Sequence, residues 1–312
     1  MTSKIFTTPI PYIALILAHL IWGANFVVAK ITLQEFPPFS LAFLRFALAT
    51  IFIAPFFFTH TKKIKVEKDD LLRLIGVGLL MVTFNITFFF AGIVRTTAVS
   101  GAMLTLIIPM LSVLWGWWFL KEKVYLINLG GIFLGLLGAL IVVGLPELLT
   151  GDFSFGAFTG NILIILACIA WVSGAVLSRK LLKKYPSLVV TTIAFAVGMI
   201  TFTPSFILEY LQNPSWPDQI TMLGLLGLIY MTILSSISAY FLFEWGLSRT
   251  SVAAADLFQY IEPFLAAVLA VAILNEEIPP IFAFGALLII LGVYLGTFAK
   301  ERHHRYHKAH RT

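Results

Sequence analysis

Two carboxylates in one apolar stretch are the residues of this sequence best suited to chemistry. Asp256, Gln259 and Glu262 follow one another at three-residue spacing within RTSVAAADLFQYIEP at 249–263. On a helix, this spacing spreads the three polar side chains over about a third of the circumference, which is broad enough to face one cavity. Pro263 removes the main-chain hydrogen bond to the Gln259 carbonyl, so a kink and a free acceptor are predicted beside Glu262.

Two interpretations of these acids remain open. A helix that starts at Thr250 places Glu262 ~18 Å along its length, near the middle of a bilayer, whereas Asp256 lies only ~9 Å in. Glu262 therefore either faces a cavity and binds a ligand or hydrogen-bonds to a neighbouring helix. Asp256 either lines the same cavity, snorkels to the interface or pairs with Arg249.

A buried cation is predicted in the first part of the chain. Arg45 lies about two helical turns into an apolar segment that starts near Pro38. An arginine fork suits a carboxylate and a glutamate suits an ammonium group, so an amino-acid zwitterion would satisfy Arg45 and Glu262 together. The alternatives are that Arg45 pairs with a carboxylate to hold two helices together or snorkels to the outer face.

The composition is that of an integral membrane protein. Of the 312 residues, 60% are hydrophobic and 12% are charged, and the mean hydropathy is +0.97; soluble domains carry about 25% charged residues. Ten apolar segments have the ~20 residues that a helix needs to cross a bilayer. They are 10–31, 38–59, 71–92, 97–120, 125–145, 157–178, 187–211, 221–245, 251–274 and 279–299. Because a span in lipid must satisfy its own backbone hydrogen bonds, we predict an all-α protein with ten transmembrane helices.

Lysine and arginine concentrate on one side of these segments. With the N-terminus inside, the cytoplasmic side receives the basic run at 62–73 and the tail at 301–312, whereas the other side receives only Lys30 and Arg95. This asymmetry predicts a multi-pass protein of the inner membrane with both termini in the cytoplasm. The net charge of +6 is then a topology signal, and no nucleic-acid partner is expected.

The chain contains an internal repeat. RTTAVSGAMLTLIIP at 95–109 aligns without gaps on the stretch at 249–263, and LKEK at 120–123 continues the register over LNEE at 274–277. The register extends to two glycine pairs, Gly131 and Gly138 over Gly285 and Gly292.

We therefore predict two five-helix repeats, 1–148 and 149–300, followed by a basic His-rich cytoplasmic tail at 301–312. An odd number of helices per repeat inserts the two copies with opposite orientation. Inverted repeats of this kind are typical of transporters that alternate access about a midplane site.

The repeat also points to further candidate residues. Trp22 and Trp171 occupy equivalent positions, and Pro109 and Pro263 pair across the repeat as predicted hinges of gating helices. The remaining predicted substrate-binding side chains are polar or aromatic residues within the spans, Asn25, Asn85 and Tyr260. Each of these, taken alone, is also compatible with simple packing between helices.

The order of the motifs resembles a known family. WGANFVVAK at 22–30, PPFSLAFLRF at 37–46 and the paired P…(K/N)E…G units that end each repeat are similar to the EamA type of the drug/metabolite transporter superfamily. The resemblance covers about residues 10 to 300. It implies a ten-helix carrier with both ends in the cytoplasm that moves amino acids or related small metabolites, often outward. Arg45 matches the arginine of the family's RF pattern.

Other classes of protein fit less well. A polytopic membrane enzyme acting on a lipid-linked substrate is the alternative, but the loops show no nucleophile–base set. No filter motif indicates a channel, and no Gly-rich phosphate loop indicates ATP drive. We expect a non-enzyme without cofactor or metal, whose partners are a small-molecule substrate, the lipid bilayer and, if Glu262 titrates, protons.

The tail leaves one question open. His303, His307 and His310 have a spacing that suits a transition metal if the tail is helical, whereas a basic juxtamembrane tail otherwise contacts anionic lipid. The sequence contains no indication of the oligomeric state.

Overall fold

The protein is helical throughout the part of the chain that its computed structural model describes. That part comprises residues 10–61, 64–120, 155–250 and 257–292 without 279 and 282, residues 130–141 without 132, 139 and 140, and residue 295. Within these described residues, seven helices are long and apolar enough to cross a membrane: α1 (Ile10–Thr32), α2 (Pro38–His60), α3 (Lys68–Ile93), α4 (Ala98–Phe119), α5 (Phe155–Leu181), α6 (Ser187–Gln212) and α7 (Met222–Arg249). Two shorter apolar helices follow, α8 (Phe258–Leu274) and α9 (Ala283–Gly292).

These helices match most of the predicted segments. The seven long helices begin and end within four residues of their predicted bounds, and α8 and α9 lie inside the ninth and tenth segments. The all-α prediction is confirmed, whereas ten membrane crossings stay a prediction. Asp256, the tail at 301–312 and most of the fifth segment lie outside the described residues.

Four helices change their hydrogen-bonding pattern where the sequence predicts continuous α-helix. Two π-helical segments lie within α3 and α7, at Leu79–Phe84 and Tyr230–Ser238. Two 3-10 turns, Thr105–Ile107 and Leu257–Tyr260, precede Pro109 and Pro263. The α-helix that carries Glu262 begins at Ile261, directly after the 3-10 turn, so Glu262 lies in its first turn. Irregular helical turns of this kind often occur at functional sites.

Helices α1 to α4 pack against helices α5 to α8 in reciprocal pairs. Helix α2 packs against α6, α1 packs against α7 and α8, and α5 packs against α3 and α4. Glycines allow one more close approach: a Cβ on Gly138 would lie 2.5 Å from the carbonyl oxygen of Gly285, and a Cβ on Gly292 would lie 2.4 Å from that of Gly131. In the predicted sequence repeat, Gly138 aligns with Gly292 and Gly131 aligns with Gly285, so each contact joins the same two aligned positions.

On one side of the bundle, carboxylates bind the first residues of helices. Glu276 accepts hydrogen bonds from the backbone N–H groups of Ala98 (2.9 Å) and Val99 (3.0 Å) at the start of α4, and its Oε1 lies 2.9 Å from Lys30 Nζ. The free N–H groups and the dipole of a helix start favour a carboxylate there. The same arrangement recurs between Glu209 and the N–H of Ser40 (2.6 Å) in the first turn of α2, and between Glu35 and the N–H of Thr221 (2.7 Å) just before α7.

On the opposite side, Asp70 ties the start of α3 to the loop between α5 and α6. Its carboxylate accepts hydrogen bonds from Lys184 Nζ (2.8 Å), from the Tyr185 hydroxyl (3.0 Å) and from Arg73 Nη1 (2.9 Å). The hydrogen bond to Asp70 raises the pKa of Lys184 above its ordinary value. Lys184 therefore stays charged under all physiological conditions.

Candidate functional site

A cavity lies among α1, α2, α3, α4, α5, α7 and the start of α8. The centres of water molecules can occupy about 90 Å³ of it. Since one water needs roughly 10–15 Å³ of such volume, the cavity has room for several waters or one small metabolite. Seven of the predicted binding residues line it: Trp22, Asn25, Arg45, Asn85, Trp171, Gln259 and Glu262. Tyr260 does not line this cavity, and Asp256 lies outside the described residues.

Arg45 is held in the cavity by hydroxyl groups. The residue is only 1% exposed, its Nε donates to Ser236 Oγ (2.5 Å) and its Nη2 donates to Ser235 Oγ (3.0 Å). Its Nη1 has no hydrogen-bond partner, and no carboxylate of the described residues forms an ion pair with the guanidinium group. A buried cation without a counter-charge is costly, so an anionic group entering the cavity would be stabilised here.

The π-helix of α7 explains why two consecutive serines reach one guanidinium group. Along residues 231–240, buried residues come in pairs separated by pairs of more exposed residues. A four-residue repeat of this kind fits the wider turn of a π-helix and not the 3.6-residue turn of an α-helix. The buried pairs are Met231 and Thr232, Ser235 and Ser236, and Ala239 and Tyr240.

Both π-helices also offer a main-chain carbonyl to a side chain. The carbonyl oxygen of Ser235 accepts a hydrogen bond from Trp22 Nε1 (3.0 Å), and that of Met81 accepts one from the Tyr240 hydroxyl (3.0 Å). Because π-turns shift the backbone bonds from the fourth to the fifth residue, such segments leave carbonyls available. Met81 and Ser235 are equivalent in the register of the sequence repeat.

Aromatic rings form one wall of the cavity. Trp22 and Trp171 meet edge to face with their centroids 5.0 Å apart, and Tyr240 packs against both, at 5.5 and 5.6 Å. Each ring presents apolar surface, while the Trp22 indole and the Tyr240 hydroxyl are engaged with backbone carbonyls. The wall is therefore rigid and apolar.

Glu262 lines the cavity and also binds α1. Its Oε1 lies 2.7 Å from Nδ1 of His19, and the two residues are 4% and 0% exposed. Gly23 allows this contact, because a Cβ there would lie 3.0 Å from the Cα of Glu262. Glu262 therefore faces the cavity and also hydrogen-bonds to a neighbouring helix, where its partner is His19 and not Arg45.

The two amides differ in how well they are satisfied. Asn85 Nδ2 donates to the carbonyl oxygen of Ala167 (2.9 Å), which joins α3 to α5. Asn25 Oδ1 is buried without a hydrogen-bond partner. The cavity thus contains an unused donor on Arg45 and an unused acceptor on Asn25.

Sequence interpretation missed several of these groups. His19 interrupts an apolar segment, which is a usable signal, because a histidine in a span usually faces the protein interior. Ser235, Ser236 and Tyr240 carry no such signal, since hydroxyl side chains are common in membrane helices.

Comparisons with known proteins agree with the family resemblance of the sequence motifs. The model of the EamA-like transporter family matches residues 9–144 and again residues 158–298. The chain belongs to the EamA-like transporter family. This EamA-like transporter is 31% identical over 286 residues to an uncharacterized transporter of Archaeoglobus fulgidus, covering 92% of this chain and 96% of that protein. The resemblance expected from the sequence motifs is confirmed.

Two further similarities extend this result. A probable amino-acid metabolite efflux pump of Escherichia coli is 25% identical to this EamA-like transporter over 291 residues, which cover 91% of this chain and 93% of that protein. A crystal structure with 19% sequence identity has a TM-score of 0.65 and covers 93% of this chain and 97% of that one. The latter shows a shared fold.

Proposed function

We propose that this EamA-like transporter is a secondary carrier that exports an amino acid or a related small metabolite across the cytoplasmic membrane. The observation that carries the proposal is that Arg45 and Glu262 line one cavity with room for a small metabolite. A substrate carboxylate would accept from the unused N–H at Arg45 Nη1, and an ammonium group would donate to Asn25 Oδ1 and to Glu262. Each contact satisfies a buried polar group, and unsatisfied groups of this kind are costly.

Alternating access would come from two inverted five-helix repeats, 1–148 and 149–300, with both termini in the cytoplasm. The two separate matches to the family model support this division. The reciprocal helix pairs, the exchanged glycine contacts and the equivalent positions of the π-helices support a two-fold relation between the repeats. Trp22 and Trp171 touch, as equivalent residues beside such an axis do.

The turns before Pro109 and Pro263 support the proposed hinges. Both prolines are buried, and each follows a short 3-10 turn in the middle of its segment. Because a 3-10 turn has poorer hydrogen-bond geometry than an α-turn, it bends at lower cost. Glu262 lies between one such turn and its proline, so a hinge there would move a binding side chain directly.

The proposal is tested by efflux from proteoliposomes. The purified protein is reconstituted with a preloaded pool of amino acids, purines, sugars and polyamines, and losses are measured by mass spectrometry. We expect selective loss of one or more amino acids, abolished by Arg45→Ala and reduced by Arg45→Lys, because an ammonium group lacks the fork that holds two serines and a carboxylate together. Arg249→Ala is the control, since Arg249 is exposed and stacks on Trp245 at 3.9 Å.

The outcomes separate the carrier from its site. Loss of amino acids that persists in a folded Arg45→Ala protein would contradict the site and leave the carrier. No selective loss from monodisperse wild-type protein would contradict the carrier and favour an enzyme acting on a lipid-linked substrate.

A further inference from the structure

We infer that His19 and Glu262 form the proton-binding site of this carrier, and that the ammonium group of the substrate competes with the His19 proton for the Glu262 carboxylate. The inference rests on the proposed amino-acid carrier. It makes the protein an antiporter that exchanges one proton for one zwitterion.

Within the described part of the chain, only one of the two ring nitrogens of His19 has a hydrogen-bond partner. One ring nitrogen, Nδ1, contacts Glu262 at 2.7 Å, while Nε2 is buried without a partner. The ring meets Trp22 and Phe243 edge to face, with centroids 5.6 and 6.0 Å away, so its other neighbours are apolar. A buried polar atom without a partner is rare and costs stability, which calls for a functional explanation.

His19 and Glu262 together can hold one extra proton. With that proton, the pair is an imidazolium ion beside a carboxylate, or equally a neutral imidazole beside a carboxylic acid. Without it, Glu262 is an uncompensated anion that lines the cavity. Histidine is the side chain whose charge changes most readily near neutral pH.

The other ionisable groups near His19 and Glu262 have partners or positions of their own. Glu244 on α7 accepts from Ser178 (2.7 Å), Tyr240 donates to Met81, and Tyr230 donates to the carbonyl oxygen of Ile21 (2.7 Å). Arg45 is bound to the two serines, Cys168 of α5 lines the cavity, and Tyr260 precedes Glu262 in the 3-10 turn at the start of α8. Within the described residues, only His19 forms an ion pair with Glu262. The charge on Glu262 is therefore compensated by His19 or by whatever occupies the cavity.

The exchange of one proton for one zwitterion is balanced. In the proton-loaded carrier, the imidazolium ion of His19 compensates Glu262. When a zwitterion enters, its carboxylate binds Arg45 and its ammonium group donates to Glu262, and the imidazolium N–H bond breaks with release of the proton to water. One N–H bond of the imidazolium ion breaks and one O–H bond to water forms, and one proton leaves for each substrate bound. The zwitterion crosses without net charge, so each cycle moves one positive charge in the opposite direction.

The test uses proteoliposomes with radiolabelled L-amino acids as the probe. His19→Asn places an amide nitrogen near the position of Nδ1, so it keeps a donor to Glu262 but cannot carry a proton; His19→Gln is the second variant. His60→Asn is the control, because His60 is exposed at the end of α2. Exchange of labelled for unlabelled amino acid at equal pH needs no net proton movement, whereas accumulation inside acidic vesicles does.

We expect both activities in the wild type and in His60→Asn. At one proton per substrate, and with the membrane potential held at zero, a gradient of one pH unit supports about tenfold accumulation, since a factor of ten corresponds to about 1.4 kcal/mol. In His19→Asn, exchange should persist while accumulation falls to the level without a gradient, and proton release measured with a trapped pH dye should stop.

Each other outcome overturns the inference. A wild type that moves none of the amino acids overturns the proposed function and the inference with it. A wild type that transports but does not respond to the gradient, or a His19→Asn protein that responds like the wild type, overturns the inference alone. Loss of exchange together with accumulation in both folded His19 variants assigns His19 to binding or packing and also overturns it.

Discussion

Replacing Glu276 by alanine should destabilise the protein through the start of α4. The substitution removes two hydrogen bonds to backbone N–H groups and the ion pair with Lys30. Ala98 and Val99, whose N–H groups lose their acceptor, are 0% and 1% exposed. Water therefore cannot easily replace the lost acceptor.

The magnitude follows from these contacts. Leaving two buried donors at the helix start without their acceptor costs about 1–3 kcal/mol, and a partly exposed ion pair adds at most about 1 kcal/mol. We expect the free energy of unfolding to fall by about 3 kcal/mol. With an unfolding entropy of about 2.1 cal/mol/K per residue and 312 residues, this corresponds to a midpoint about 5 °C lower.

The assay is thermal unfolding in detergent, followed by size-exclusion chromatography of heated samples. Glu277→Ala is the matched control, since the neighbouring carboxylate is exposed and no hydrogen bond or ion pair joins it to the described residues. Lys30→Ala removes the ion pair and the hydrogen bond from Lys30 Nζ to the Thr96 carbonyl oxygen (2.8 Å), but it keeps both backbone hydrogen bonds of Glu276, so it should lower the midpoint by less. Equal midpoints for Glu276→Ala and Glu277→Ala would refute the reasoning.

Two further substitutions test packing and the other side of the bundle. Gly292→Ala should cost about 1–3 kcal/mol by overpacking, because its Cβ would lie 2.4 Å from a carbonyl oxygen; Gly130→Ala, with nothing within 4 Å, should be neutral in the same thermal assay. Asp70→Asn should lower the unfolding midpoint, because it weakens three hydrogen bonds from charged or hydroxyl donors, while Asp69→Asn at an exposed position should leave it unchanged. A neutral Gly292→Ala, or equal effects at the two aspartates, would contradict these contacts.

Much of the fold was predictable from the sequence, because hydrophobic length is a strong constraint in a bilayer. The bounds of the seven long helices follow from it directly. Most of the cavity lining was also predictable, since residues such as Arg45, Asn25 and Glu262 are costly in lipid and must face the interior. The inward orientation of these side chains follows from their chemistry alone.

The partners of these residues were not predictable. Glu262 contacts His19 across 243 positions of sequence, a pairing that depends on the close approach of two helices at Gly23. The hydroxyl groups that hold Arg45 depend on the π-helix in α7, and periodicity analysis assumes 3.6 residues per turn. Local departures from that period follow from tertiary packing, which a single sequence does not display.

The π-helix of α7 separates two quantities that a membrane helix normally couples, its length and its rotation. Removing one residue from a helix shortens it by only about 1.5 Å but turns everything beyond that point by about 100°. A one-residue deletion within Tyr230–Ser238 would therefore leave the fit to the bilayer thickness almost unchanged, while it carried one of the two serine hydroxyls away from Arg45. In this segment, the number of residues sets the direction of side chains more than the depth they reach.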